Sequence, residues 1–166
     1  MSAKRLCDVG KDKEGLSPFI LGVMDDGAIQ ALRDLYSDLE IDGRVLDLGG
    51  HGYEHFEVPP DALVVLDGDE SARLPYADAE FDDVVLLLGP PQKKPKQRLE
   101  DVARVLKPGG HLVCSFVGGA DDAGRVRKLR QYFDGSPWFS GAESDLRTSL
   151  TGSGDRLWAV WATRRP

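Results

Sequence analysis

Between Leu74 and Phe116 the chain spells out a turn, an apolar strand, a helix, a Pro-Gly-Gly stop and a second apolar strand. That succession leaves few folds open. Val84 to Leu88 is an unbroken apolar run, which predicts a central strand of a parallel sheet covered on both faces. Leu99, Val102, Ala103 and Leu106 recur at helical spacing and predict a helix from about Pro95 to Leu106. Pro108-Gly109-Gly110 is expected to end that helix, and His111 to Phe116 to form the next strand.

The flanking sequence continues the alternation. Asp25-Asp26 offers an N-cap for a helix with Ile29, Leu32, Leu35, Tyr36 and Leu39 on one face. Asp42-Gly43 turns the chain into a strand at Arg44 to Leu48, and Ala62 to Asp67 reads as another. Asp122 to Phe133 has helical spacing with Val126, Leu129 and Phe133 inward. Leu146–Thr151 and Leu157–Thr163 flank Gly152-Ser153-Gly154-Asp155, a hairpin turn signal. Trp158 and Trp161 fall on opposite faces of that last strand, so at most one is expected in the core. Trp138-Phe139, in a Ser/Gly/Pro stretch, either floors a substrate pocket or packs on the sheet edge. Met1 to Ser17 is polar and predicts a flexible arm, with residues 18–166 forming a single domain.

Charge narrows the partners. A net charge of −7 leaves no excess of Lys and Arg to neutralise phosphates, so nucleic acid is not an expected partner. Lys93-Lys94-Pro95-Lys96 and Arg125-Val126-Arg127-Lys128 are short and read as solvated faces. No apolar run approaches the roughly 20 residues that span a bilayer, and the start lacks an apolar signal core, so no membrane is expected. Cys7 and Cys114 have no CxxC partner, which predicts reduced thiols in a cytoplasmic protein.

The segments Leu74-Pro75-Tyr76-Ala77-Asp78-Ala79-Glu80-Phe81-Asp82 and Ala103-Arg104-Val105-Leu106-Lys107-Pro108-Gly109-Gly110 closely resemble class I S-adenosylmethionine-dependent methyltransferases of the type 11-like kind. The resemblance covers about Asp25 to Phe116. It implies a Rossmann-like α/β sandwich with a mainly parallel sheet and a C-terminal antiparallel hairpin. It also implies S-adenosylmethionine as cofactor and a small molecule as methyl acceptor. Only about 27 positions separate Asp47 from Leu74, the length of one strand-helix-strand crossover where the family has two. The sheet is therefore expected to lack one strand-helix unit, and the uncovered edge to favour a homodimer.

Four clusters are candidate sites. In Val45-Leu46-Asp47-Leu48-Gly49-Gly50-His51-Gly52-Tyr53, a strand ends in an acid and a glycine turn that lets a ligand approach the backbone. It resembles the family's "VLDLGCGTG" loop, which implies that Asp47, Gly49, Gly50 and His51 hold the methionine end of the cofactor. His51 and Tyr53 occupy positions that are small in the family. After the next strand, Asp67 reads as the ribose acid and Asp69 as the adenine acid, the alternative being solvated turn carboxylates. His51-Gly52-Tyr53-Glu54-His55 matches the H-x-x-E-H zinc-hydrolase pattern in form. The surrounding glycines disfavour the helix that pattern needs, so no metal is expected, and His55 alone is a candidate proton carrier. Gly89-Pro90-Pro91-Gln92 faintly resembles the "NPPY" motif but lacks its Asn and aromatic, and reads as a rigid loop. Two functions follow, a small methyltransferase or a degenerate methyltransferase fold serving as a non-catalytic scaffold, with a zinc-dependent hydrolase using His51, Glu54 and His55 as the outside alternative.

Overall fold

The computed structural model describes residues 26–49, 55–66, 73–87, 95–118, 122–148 and 156–166. Helix α1 (Asp26–Asp38) leads into strand β1 (Arg44–Leu48), followed by β2 (Ala62–Leu66) and β3 (Phe81–Leu87). Helix α2 (Pro95–Val105), β4 (Leu106–Gly118), α3 (Ala123–Gly135), β5 (Phe139–Thr148) and β6 (Arg156–Arg164) complete the order. Among the described residues the strands form one sheet in the order β2-β1-β3-β4-β6-β5. The first four are mutually parallel, and β6 runs antiparallel to both β4 and β5. The expected α/β sandwich with a terminal antiparallel hairpin is therefore present, while the expected arm at 1–17 and the turn at 152–155 lie outside the described residues.

Alternation along the strands divides the core in two. Leu46, Val84, Leu86, Leu112, Cys114 and Phe116 face α2 and α3, where Leu99, Val102, Ala103, Val126 and Phe133 meet them. Val45, Val85, Val113, Leu157 and Ala159 face the other way, against Ala28, Leu32, Leu35 and Tyr36 of α1 and against Phe56. Because both faces are covered, Trp158 packs in the first cluster and Trp161 in the second. Both are only partly buried, so neither is among the fully buried core residues, in keeping with the expectation that at most one is core. Phe139 is fully buried with its ring 5.0 Å from Phe133, so it is sheet packing and not a pocket floor. Trp138 is exposed, with the Arg164 guanidinium 5.4 Å from its ring.

The edge at β2 bears out the expected shortening. β2 pairs directly with β1, and no helix appears among the described residues between β1 and β2 or between β2 and β3. All five residues of β2 are apolar and only partly covered, and Val65 is 43% exposed.

One boundary differs from expectation. Helix α2 stops at Val105, and Leu106 already pairs with Phe81 in the sheet. The ladder resumes at Asp83 with His111, so β4 advances five residues while β3 advances two. Pro108-Gly109-Gly110 is therefore a bulge within the strand and not the stop of the helix. Gly109 sits at φ +87°, and a Cβ on Gly110 would lie 2.2 Å from the Asp82 carbonyl oxygen. Two glycines allow this, one for its φ and one for space.

Arg104 explains why the two motif segments belong together. Its Nη2 donates to the Leu74 carbonyl at 2.9 Å and its Nη1 to the Tyr76 carbonyl at 2.8 Å. Its Nε donates to Asp101 Oδ1 at 2.9 Å, while Asp101 Oδ2 accepts the Leu74 N–H at 2.6 Å. The turn before β3 is thereby tied to the last turns of α2.

Candidate active site at the carboxyl edge of the sheet

In parallel α/β sheets, ligands bind outside the carboxyl ends of the strands. Asp47 is the penultimate residue of β1, and it is 3% exposed. Register sets it level with Val85 on β3, itself level with Val113 on β4. Strand alternation then puts Asp47 and Ser115 on the α1 side, since each lies two residues beyond a member of that cluster. Gly49 follows at φ +141°, a conformation open to glycine, and its N–H donates to the Leu66 carbonyl at 3.3 Å. That bond ties the loop after β1 to the end of β2.

Tyr36 closes this region from α1. Its ring lies 4.9 Å from Phe56, and both belong to the cluster under Asp47. Burial raises the Tyr36 pKa most, and the Asp47 charge raises it further, so the phenol stays protonated. An approach to the Ser115 hydroxyl lowers it in part. No hydrogen bond of good geometry results, however, and Ser115 Oγ is fully buried without a partner among the described residues. Cys114 points to the opposite face, where burial pushes its thiol up to about 12 and keeps it inert.

Of the residues singled out in the sequence, the structure brings Asp47 and Gly49 together at this edge. His55 is buried and directly precedes Phe56, a member of the cluster on the α1 side. Gly50, His51, Glu54, Asp67 and Asp69 lie outside the described residues, as does the Gly89–Gln92 loop. Among the described residues no three possible metal ligands converge. No helix among them is long and apolar enough to cross a membrane. Sequence reasoning passed over Tyr36 and Ser115. The available signal was a hydroxyl residue inside an otherwise apolar strand.

No family model matches the sequence, and no curated protein matches it. Solved structures do. The Burkholderia thailandensis 1,6-didemethyltoxoflavin-N1-methyltransferase, with its substrate and S-adenosylhomocysteine bound, superposes at a TM-score of 0.59 with 14% identity. The match covers 86% of this chain and 80% of that one. This chain has the class I methyltransferase fold. An S-adenosylmethionine-dependent methyltransferase from Thermotoga maritima matches at a TM-score of 0.55 and 16% identity, over 84% of this chain and 88% of its own. The [4+2]-cyclase SpnF matches at 0.56 and 17%, over 82% and 81%. The class I methyltransferase fold thus also carries a cyclase, and at these identities the likeness speaks for architecture alone.

Proposed function

We propose that this protein is an S-adenosylmethionine-dependent methyltransferase acting on a small molecule. The observation that carries the reading is the buried Asp47 carboxylate, followed by Gly49 at positive φ, at the carboxyl edge of a methyltransferase sheet. The donor set suits the amino-acid end of that cofactor: a desolvated carboxylate for an ammonium group, and a glycine backbone that admits close approach. When bound, the cofactor supplies an electrophilic methyl group. The chain's own part is to hold donor and acceptor in line and to keep water out, and no side chain is obliged to take a proton. Asp67 and Asp69 are proposed to hold the adenosine, and His55 to carry a proton if the acceptor releases one. Cys114, free and buried, suits a reducing cytoplasmic setting. The apolar, partly covered β2 at the sheet edge supports pairing with a second copy.

The scaffold reading keeps support from the shortened sheet edge, where no helix appears among the described residues between β1 and β2, and from His51 and Tyr53 in the sequence after β1. Calorimetry with S-adenosylmethionine and S-adenosylhomocysteine separates the two. Micromolar binding supports the enzyme, and no heat at millimolar ligand supports the scaffold. Asp67→Asn and Asp69→Asn, titrated separately, should each lose about 1.5–3 kcal/mol, roughly tenfold to hundredfold in affinity. Equal affinity in both variants and wild type would remove these acids from the site.

A further inference from the structure

Among the described residues, Val58 and Val65 are the most exposed large apolar side chains, at 67% and 43%. Val65 shares the α1 side of β2 with Leu63, because alternation sends Val64 and Leu66 into the opposite cluster. Val58 follows Glu57, whose carboxylate accepts a hydrogen bond from Gln30 Nε2 at 3.3 Å. Gln30 lies in the first turns of α1, about 6 Å along the helix axis from its first residue, Asp26. The chain that leads into α1 therefore arrives about one helical turn from the immediate neighbour of Val58. That chain is apolar at this point. Phe19-Ile20-Leu21-Gly22-Val23-Met24 holds five large apolar residues in six, whereas residues 1–17 are mainly polar. Only Asp25 separates the run from α1. Residues 19–25 span up to about 23 Å when extended, enough to pass Val58 and run on along the sheet edge. An apolar run and an exposed apolar edge, left apart in water, are unfavourable in proportion to their area.

We infer that residues 19–24 cover this edge, seating their apolar side chains over Val58 and the α1 side of β2. The segment takes the place of a crossover helix, which does not appear among the described residues between β1 and β2. It covers a face of the strand and leaves the outer backbone donors and acceptors of β2 free. The inference stands apart from methyl transfer and from cofactor binding.

Methyl NMR on the full chain is the test. The isoleucines are Ile20, Ile29 and Ile41, so one substitution, Ile20→Leu, assigns the Ile20 methyl signal. Wild type should show nuclear Overhauser contacts from the Ile20 methyl to the methyls of Val58. In Val58→Asp the Ile20 signal should move to the free-chain position, while Ile29 and Ile41, which pack in the α1 cluster, keep theirs. Chymotrypsin cleavage at Phe19 or Leu21 should run about tenfold faster in that variant, because cleavage follows the fraction of undocked segment. An Ile20 methyl at the free-chain position in wild type overturns the inference. An unchanged Ile20 signal in folded Val58→Asp overturns it too. So do contacts that arise only between differently labelled chains in a mixed sample, which would make a second copy the cover.

Discussion

His111 and Asp83 meet twice across neighbouring strands. The His111 backbone N–H donates to Asp83 Oδ1 at 2.9 Å, and the imidazole Nδ1 stands 3.4 Å from the same oxygen. The Asp83 hydrogen bond raises the imidazole pKa most, burial opposes it, and the charges of Asp83 and Glu143 add to the rise.

A pKa raised on folding means that the protonated form is preferred by the native state. The stabilisation is therefore complete below the ordinary imidazole value of about 6.5 and is lost as pH climbs through the raised native value. Urea unfolding of wild type and His111→Gln at a series of pH values should show their difference shrinking across that interval. A difference that grows with pH would contradict the assigned direction.

The bulge in β4 gives a pair of predictions of unequal size. Gly109→Ala adds a methyl into open space at φ +87° and should cost about 1 kcal/mol in backbone strain. Gly110→Ala drives a methyl toward the Asp82 carbonyl oxygen and Leu106, so backbone must move, and about 3 kcal/mol is expected. Chemical denaturation of both variants checks the order, which matters more than either value.

Much of this fold was legible because local signals agreed with the tertiary environment. The apolar run beginning at Val84 lies in a central strand, Phe81–Leu87, and the helical stripe of α1 faces the sheet. The bulge was not legible. Pro-Gly-Gly after a helical stripe has the signature of a helix stop, and only the Leu106–Phe81 pairing shows that the strand has already begun. The site was half legible. An acid and glycines after an apolar strand mark Asp47 and Gly49 as candidates, whereas Tyr36 looks like any amphipathic core residue of α1. Alternation placed Trp158 and Trp161 on opposite faces, and each packs, partly buried, against the cluster on its own face.

Arg104 should be the most sensitive charged residue of the turn before β3. Arg104→Ala leaves the Leu74 and Tyr76 carbonyls and the partly buried Asp101 carboxylate without their donor, and a loss of about 2–4 kcal/mol is expected. Asp78 also bonds Arg104, at 3.0 Å, but is 80% exposed. Asp78→Ala should therefore stay within about 0.5 kcal/mol of wild type. Thermal melts of the two variants test the contrast, and similar losses in both would refute the assignment of the guanidinium to the backbone carbonyls.

The last prediction concerns the open side of β2. A strand at a sheet edge presents unpaired backbone donors and acceptors, and natural proteins guard such edges with charge, proline or a covering element. The sequence Ala62-Leu63-Val64-Val65-Leu66 carries neither charge nor proline, and no strand pairs with its outer side among the described residues. Antiparallel pairing of β2 with β2 of a second copy sets apolar residues against one another without repulsion, and closes the edge by a two-fold axis. Light scattering at micromolar concentration should give a dimer for wild type. Val65→Lys puts a charge on a residue already 43% exposed, so the fold should survive while the dimer dissociates. A wild-type monomer at that concentration, or a Val65→Lys protein that still dimerises, would show that this edge is closed in some other way.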